Sequence, residues 1–205
     1  MAVDKFYEWR HGYENFAREF RFGRNQSIGA QEAATWASSL PLKALVADLG
    51  CGFGEPITGA IVRAGCRVHA VDASPTLLKT LVERLPDVSV ECANVTEANF
   101  GGERRFDGVI AWGLLFLLPE AAQKDVIAMA ARILRPGGSF LFTAPQQRLE
   151  WPDAQTDAPS LSLGADVYRK LLQENGFDTP AEFEDHGGNH YYQASYLGNN
   201  RSTSS

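Results

Sequence analysis

Cysteine is scarce in this chain: its 205 residues hold three, Cys51, Cys66 and Cys92. An odd number without metal-ligand spacing offers neither a disulfide framework nor a cysteine-built metal site, and predicts reduced thiols in a cytosolic setting. Positive charge is short as well. Nineteen Lys and Arg stand against 25 Asp and Glu, a net charge of −6, whereas sequence-independent nucleic-acid binding relies on clustered cations. The compact basic candidates, Arg104-Arg105 and the spaced Arg18, Arg21 and Arg24, read as solvated faces. Long apolar runs are missing too. The greasiest stretch, Val109 to Leu118, is about half the length that a membrane-spanning helix needs. The first residues are charged from Asp4 onward with no apolar h-region, so neither a secretory signal nor a membrane partner is expected, and a cytoplasmic location is.

With 44% hydrophobic and 21% charged residues, the composition is that of a globular chain of one domain. From Leu42 onward short β-branched runs alternate with longer amphipathic ones, the pattern of βαβ units on a mostly parallel sheet. Strands are expected at Ala44–Leu49, Arg67–Asp72, Val88–Cys92, Phe106–Trp112 and Ser139–Ala144, and helices at Pro56–Ala64, Pro75–Leu85 and Pro119–Leu134. Each of those prolines suits a first helical turn, and Ser74 is placed to cap the helix that starts at Pro75. Gln146–Ser162 is polar and aperiodic, with Pro152 and Pro159, and reads as a lid or a disordered insertion. A helix Ala165–Asn175 follows, then two strands near Ala181–Glu184 and His190–Tyr196, too close for a helical crossover and therefore antiparallel. Ahead of the sheet, Phe6, Trp9, Tyr13, Phe16 and Phe20 recur at helical spacing, and a second helix is expected from Ser27 to about Ser38. Residues 1–40 are thus expected to form a helical cap on a domain spanning 41–197, with 198–205 a frayed polar tail.

The chemistry concentrates where the first strand turns into the first helix. Asp48-Leu49-Gly50-Cys51-Gly52-Phe53-Gly54 has the spacing G-x-G-x-G, with an acid two positions ahead of the first glycine. Glycines here let the backbone reverse and approach a ligand without a Cβ in the way. Dinucleotide sites prefer G-x-G-x-x-G, and a carboxylate at Asp48 repels phosphate while suiting an amine-bearing or cationic ligand. The second strand ends in Asp72, eighteen residues after Gly54, where an acid can accept both ribose hydroxyls. A nucleoside with free 2′ and 3′ hydroxyls is favoured.

Together these residues resemble the class I S-adenosylmethionine-dependent methyltransferases. Asp48–Gly54 is similar to the family's first motif and Asp72 to its ribose-binding acid. Cys92-Ala93-Asn94-Val95 stands where the family usually reads Gly-Asp-Ala, Phe106–Ala111 resembles its fourth strand, and Leu134-Arg135-Pro136-Gly137-Gly138 its approach to the fifth. The resemblance implies an α/β, Rossmann-like, seven-stranded and mostly parallel sheet in order 3-2-1-4-5-7-6 with the last strand antiparallel, helices on both faces and an N-terminal helical cap. It implies S-adenosyl-L-methionine as cofactor, bound by Asp48, Gly50, Cys51, Gly52, Gly54, Asp72, Ala73 and Trp112. Asn94 would accept from the adenine amine through its amide oxygen, with the Val95 N–H facing the ring acceptor. No metal is implied.

The acceptor is expected beyond the carboxyl ends of the strands. The candidate wall there, Phe116, Gln146 and Trp151 with Tyr7 and Tyr13 of the cap, is largely aromatic and favours a small organic metabolite over a charged polymer. His11 and His190 are candidate proton acceptors, though in-line methyl transfer needs a base only for an acceptor that arrives protonated. Three alternatives stay open: a nucleoside-binding protein without transfer chemistry, transfer to a protein side chain, and a nicotinamide-dependent oxidoreductase.

Overall fold

A computed structural model describes Glu14, Ala17 and residues 27–101, 106–153 and 156–198. Chain order is α1 (Ala30–Ser39), β1 (Leu45–Leu49), α2 (Ile57–Arg63), β2 (Arg67–Asp72), α3 (Pro75–Arg84), β3 (Ser89–Cys92) and β4 (Phe106–Ala111). A single 3-10 turn at Leu115–Leu117 precedes α4 (Glu120–Ile133), β5 (Leu134–Thr143), β6 (Leu149–Pro152), β7 (Pro159–Ser162), α5 (Ala165–Glu174), β8 (Ala181–Glu184) and β9 (His190–Ser195). Seven strands form one sheet in the order β3-β2-β1-β4-β5-β9-β8. The first five run parallel, and β9 is antiparallel to both β5 and β8. This is the strand order that the family resemblance implies, closed by the antiparallel hairpin read from the sequence.

Side chains alternate between the two faces of each strand, so every central strand feeds two cores. On one face Val46, Ala70, Ile110, Leu141 and Tyr191 pack under α1, α2 and α3; on the other Leu49, Val71, Val109, Phe140, Phe142 and Tyr192 pack against α4 and α5. The strands are therefore apolar almost throughout, as parallel strands buried on both faces must be. Trp36 of α1 is nearly inaccessible and donates its indole N–H to Ser139 Oγ on β5 at 2.9 Å. Gly108 of β4 makes room for that ring: a Cβ there would lie 2.8 Å from it. Trp36→Phe removes the donor and trims the fused ring to a single one in a buried site, and about 2 kcal/mol is the expected loss. Thermal unfolding should register it as a Tm lower by about 4–8 °C.

Most helix ends follow their local cause. Ser74 caps α3, its Oγ accepting from Leu77 N at 3.1 Å, with Pro75 in the first turn. The expected loop at 146–162 is instead organised as an antiparallel hairpin, β6–β7, with Trp151 opposite Ser160 and Pro152 opposite Pro159. Two four-residue strands are too short to show a period. Their prolines, which normally argue against a strand, are tolerated because this two-stranded sheet has no central strand. Strand β5 also begins earlier than expected, at Leu134, with a register shift against β4 between Phe106 and Gly108. The aromatic face of the expected first helix, with Tyr7, His11 and Tyr13, lies outside the described residues, as does the segment 199–205 of the tail.

Candidate functional site

The carboxyl ends of β1, β2 and β3 sit side by side, and the chain reverses sharply at the first of them. Gly50, Gly52 and Gly54 have φ of 70°, 57° and 89°, left-handed values that favour glycine. The turn is tied to β2: Gly50 N and Cys51 N both donate to Val71 O, at 2.8 and 3.1 Å. A side chain at Gly50 would also meet Leu114, 2.9 Å from its Cβ. Asp48 is buried at 2% exposure, where its Oδ2 accepts from the Thr58 hydroxyl of α2 at 2.6 Å. Glu55, in contrast, lies along α2 and pairs with Arg63 at 3.2 Å. Cys51 is buried beside both aspartates, and burial, then the charges of Asp72 and Asp48, push its thiol well up; it is an unreactive packing group.

Asp72 closes the second side. Its Oδ2 accepts from Gly52 N at 2.8 Å and its Oδ1 from Ser74 N at 2.9 Å. The carboxylate is thereby fixed between the glycine turn and the start of α3. Burial raises its pKa above the ordinary value, assisted by the charge of Glu14 and opposed by the N–H groups of Ser74, Gly52 and Ala73. Glu14, reaching in from the N-terminal segment, accepts from the Ser74 hydroxyl, from Thr76 N at 3.1 Å and from the Thr76 hydroxyl at 2.6 Å. The Ser74 and Thr76 bonds lower its own pKa. Ala17 packs with Phe53 of the glycine turn and Leu77 of α3. The N-terminal segment therefore abuts this crevice at Glu14 and Ala17, through residues that composition and spacing did not single out.

At the end of β3, Ala93 N donates to Asp72 O at 3.0 Å. Asn94 then turns the chain, its Oδ1 accepting from Thr96 N at 3.1 Å and from Thr96 Oγ1 at 2.9 Å. Val95 is buried in the main core. At the end of β4, the Trp112 indole donates to Tyr191 Oη at 2.6 Å, and Tyr191 donates to Asp185 Oδ2 at 2.8 Å. Gly29 lies against the same indole: a Cβ added there would come within 2.6 Å of Nε1. Asp185 would be pushed up by burial, but bonds from Asn189, Tyr191 and Gly187 outweigh this and hold it low. The structure brings Phe116 and Trp151 together, ring centroids 5.5 Å apart, so the hairpin and the turn after β4 share an aromatic contact. Gln146 is exposed, and its carbonyl accepts from Ala165 N at 2.9 Å.

His190 is elsewhere engaged. It is 6% exposed, its Nε2 lies 3.0 Å from Glu182 and its Nδ1 3.6 Å from Glu184, both on β8. Strand β9 is three positions from β1 in the sheet, about 14 Å at normal strand spacing. His69, within β2, contacts Ser89 and Glu91 and is structural. Among the described residues no cluster of three or more His, Cys, Asp and Glu could hold a metal, and no helix is long and apolar enough to cross a membrane.

A mixed seven-stranded sheet with a glycine turn and two acids at adjacent strand ends is a Rossmann-like nucleoside-binding architecture. Residues 46–138 match a family model described as a methyltransferase domain. That stretch is similar to a methyltransferase domain, the class that the sequence motifs also resemble. Among curated relatives it is 35% identical over 145 residues to the cypemycin N-terminal methyltransferase of Streptomyces sp, covering 68% of this chain and 58% of that protein. It is 29% identical over 151 residues to the sarcosine/dimethylglycine N-methyltransferase of Halorhodospira halochloris, covering 69% and 53%. The chain thus spans a little over half the length of these relatives. A solved structure of similar fold is the Burkholderia thailandensis 1,6-didemethyltoxoflavin-N1-methyltransferase with bound 1,6-didemethyltoxoflavin and S-adenosylhomocysteine. Its TM-score is 0.73 at 21% identity, covering 92% of this chain and 87% of that one.

Proposed function

We propose that the chain transfers a methyl group from S-adenosyl-L-methionine to a small, aromatic or apolar organic molecule. The observation that carries this reading is the Asp72 carboxylate, clamped by the Gly52 and Ser74 N–H groups directly beside the glycine turn. A carboxylate held in this way has lone pairs left to accept from a ribose diol. In this reading Gly50, Gly52 and Gly54 let the methionine portion lie against the backbone. Cys51 belongs to that turn, Ala73 N–H keeps Asp72 oriented, and Asp48 keeps the turn anchored through Thr58 and places negative charge near the ligand's amine. The sulfonium then faces the strand ends at Trp112 and Gly113.

The acceptor wall is assigned to Phe116 and Trp151, with Gln146 at the margin. Alignment and exclusion of water supply the chemistry, worth about 7–11 kcal/mol of barrier where the reacting atoms are held in line. His190 is buried with its Nε2 bonded to Glu182 and three strands away from β1, so the reading that needs least is an acceptor requiring no general base, such as a neutral amine. The names of the similar proteins reported above, all methyltransferases acting on nitrogen or an N-terminus, support nitrogen as the acceptor atom. No nucleic-acid or membrane partner enters this reading.

Isothermal titration with S-adenosylmethionine and S-adenosylhomocysteine tests it. Micromolar binding of both is expected; silence at millimolar ligand would end the proposal. Labelled product formed from a panel of small amines and aromatic metabolites would separate transfer from binding alone.

A further inference from the structure

The structure points to a base-recognition subsite whose hydrogen-bond polarity is reversed at Asn94, a deepening that rests on the cofactor reading above. The orientation of the Asn94 amide is settled by its partner. A backbone N–H can only donate, so the atom 3.1 Å from Thr96 N is the oxygen Oδ1. The Thr96 hydroxyl occupies the same oxygen at 2.9 Å. A carbonyl oxygen has two acceptor sites, and both are taken. In this proposal, unlike the expectation from sequence, the Asn94 oxygen does not accept from the base. Among the described residues nothing accepts from Asn94 Nδ2, so the side chain offers a donor.

The topology says what lies beside that donor. Strand β2, ending in Asp72, runs between β1 and β3, and Asp72 is in register with Cys92, two residues before Asn94. With the ribose on Asp72 and the sulfonium arm over the glycine turn of β1, the purine extends the other way, over Asn94-Val95. The Val95 N–H has no acceptor among the described residues, so the subsite presents two donors, Asn94 Nδ2–H and Val95 N–H. Adenine offers an acceptor at N1 and a donor at its amine, whereas hypoxanthine offers an acceptor at O6 and a donor at N1. Each base finds one partner and one conflict. The site consequently discriminates little between adenosyl and inosyl ligands.

Asn94→Asp tests this, because the carboxylate keeps the Thr96 bonds on one oxygen and turns an acceptor outward with the other. Calorimetric titration of the full chain with S-adenosylhomocysteine and S-inosylhomocysteine is the measurement. The parent is expected to bind the two within about 3-fold of each other. Asn94→Asp is expected to tighten the adenosyl ligand by about 10-fold, the usual size of a hydrogen bond to a charged acceptor, and to weaken the inosyl one. A parent that prefers the adenosyl ligand more than 10-fold, or an Asn94→Asp protein with unchanged affinity for it, overturns the reversed polarity alone. A parent that binds neither ligand at millimolar concentration overturns the cofactor reading itself.

Discussion

Asp72→Ala is expected to weaken S-adenosylhomocysteine binding by about 1.5–3 kcal/mol, on the order of 10- to 150-fold in Kd. The ligand-free protein should still unfold within about 4 °C of the parent. The two halves of this expectation come from one geometry. Asp72 accepts from Gly52 N and Ser74 N, and its removal costs those bonds. Burial, however, holds the carboxyl above its ordinary 3.8 in spite of its N–H donors. A carboxyl whose folded pKa is raised contributes stability that is full below the unfolded value and is lost as pH rises through the folded one. At neutral pH the ionised Asp72 therefore weakens the fold, and losing it offsets the lost bonds.

Ligand affinity runs the opposite way with pH. A diol donates to the ionised carboxylate, so binding by the parent should strengthen as pH climbs through the raised pKa, a transition displaced upward from that of an ordinary aspartate. The alanine variant should lack that step. Glu14 stands nearby, but its pKa is shifted down, so its own transition falls at lower pH. An unchanged Kd at neutral pH would place the ribose away from Asp72.

Much of this arrangement is legible before any coordinates. The short β-branched runs and the punctuating prolines and glycines are local signals, and β2 falls on Arg67–Asp72 just as they predict. The glycine turn with Asp48 and Asp72 is legible for the same reason, since backbone freedom and charge are carried by residue type. Long-range pairing is not. Trp112 meets its acceptor 79 residues away, so its place on the rim could be read but not its engagement with Tyr191 and Asp185. Asn94 could be recognised as a departure, whereas the direction of its amide depends on a turn that only Thr96 completes. Thr58 and Glu14 entered through a hydroxyl and a carboxylate that carry no spacing signature.

One buried polar side chain did leave a trace. Gln123 shares the apolar stripe of α4 with Val126, Ile127 and Ala130, and all four are inaccessible; a glutamine at such a position must find partners. Its Nε2 donates to Leu118 O and to Leu161 O, each at 2.8 Å, and its Oε1 accepts from Tyr168 Oη at 2.7 Å. Tyr168 Oη in turn accepts from Leu163 N at 3.1 Å. One side chain thus joins the turn after β4, strand β7 of the hairpin and helix α5.

Gln123→Leu fills the same space while taking the donor from the Leu118 and Leu161 carbonyls and the acceptor from the Tyr168 hydroxyl. About 3 kcal/mol of stability is the expected loss, read as a Tm lower by about 6–12 °C. Tyr168→Phe should cost less, and the double variant should fall short of the sum, because the two singles remove a shared bond. Hydrogen exchange should quicken first at the hairpin amides, Leu163 and Asp153 included, while β1 and β2 stay protected. The hairpin carries Trp151 onto Phe116, whereas the Asp72 carboxylate is held by Gly52 and Ser74. Loosening it should therefore spare S-adenosylhomocysteine affinity and impair only turnover of an acceptor. A Gln123→Leu protein that melts with the parent would show that the hairpin is held by its apolar contacts alone, and an equal loss of cofactor affinity would show that the two halves of the cleft are not separable in this way.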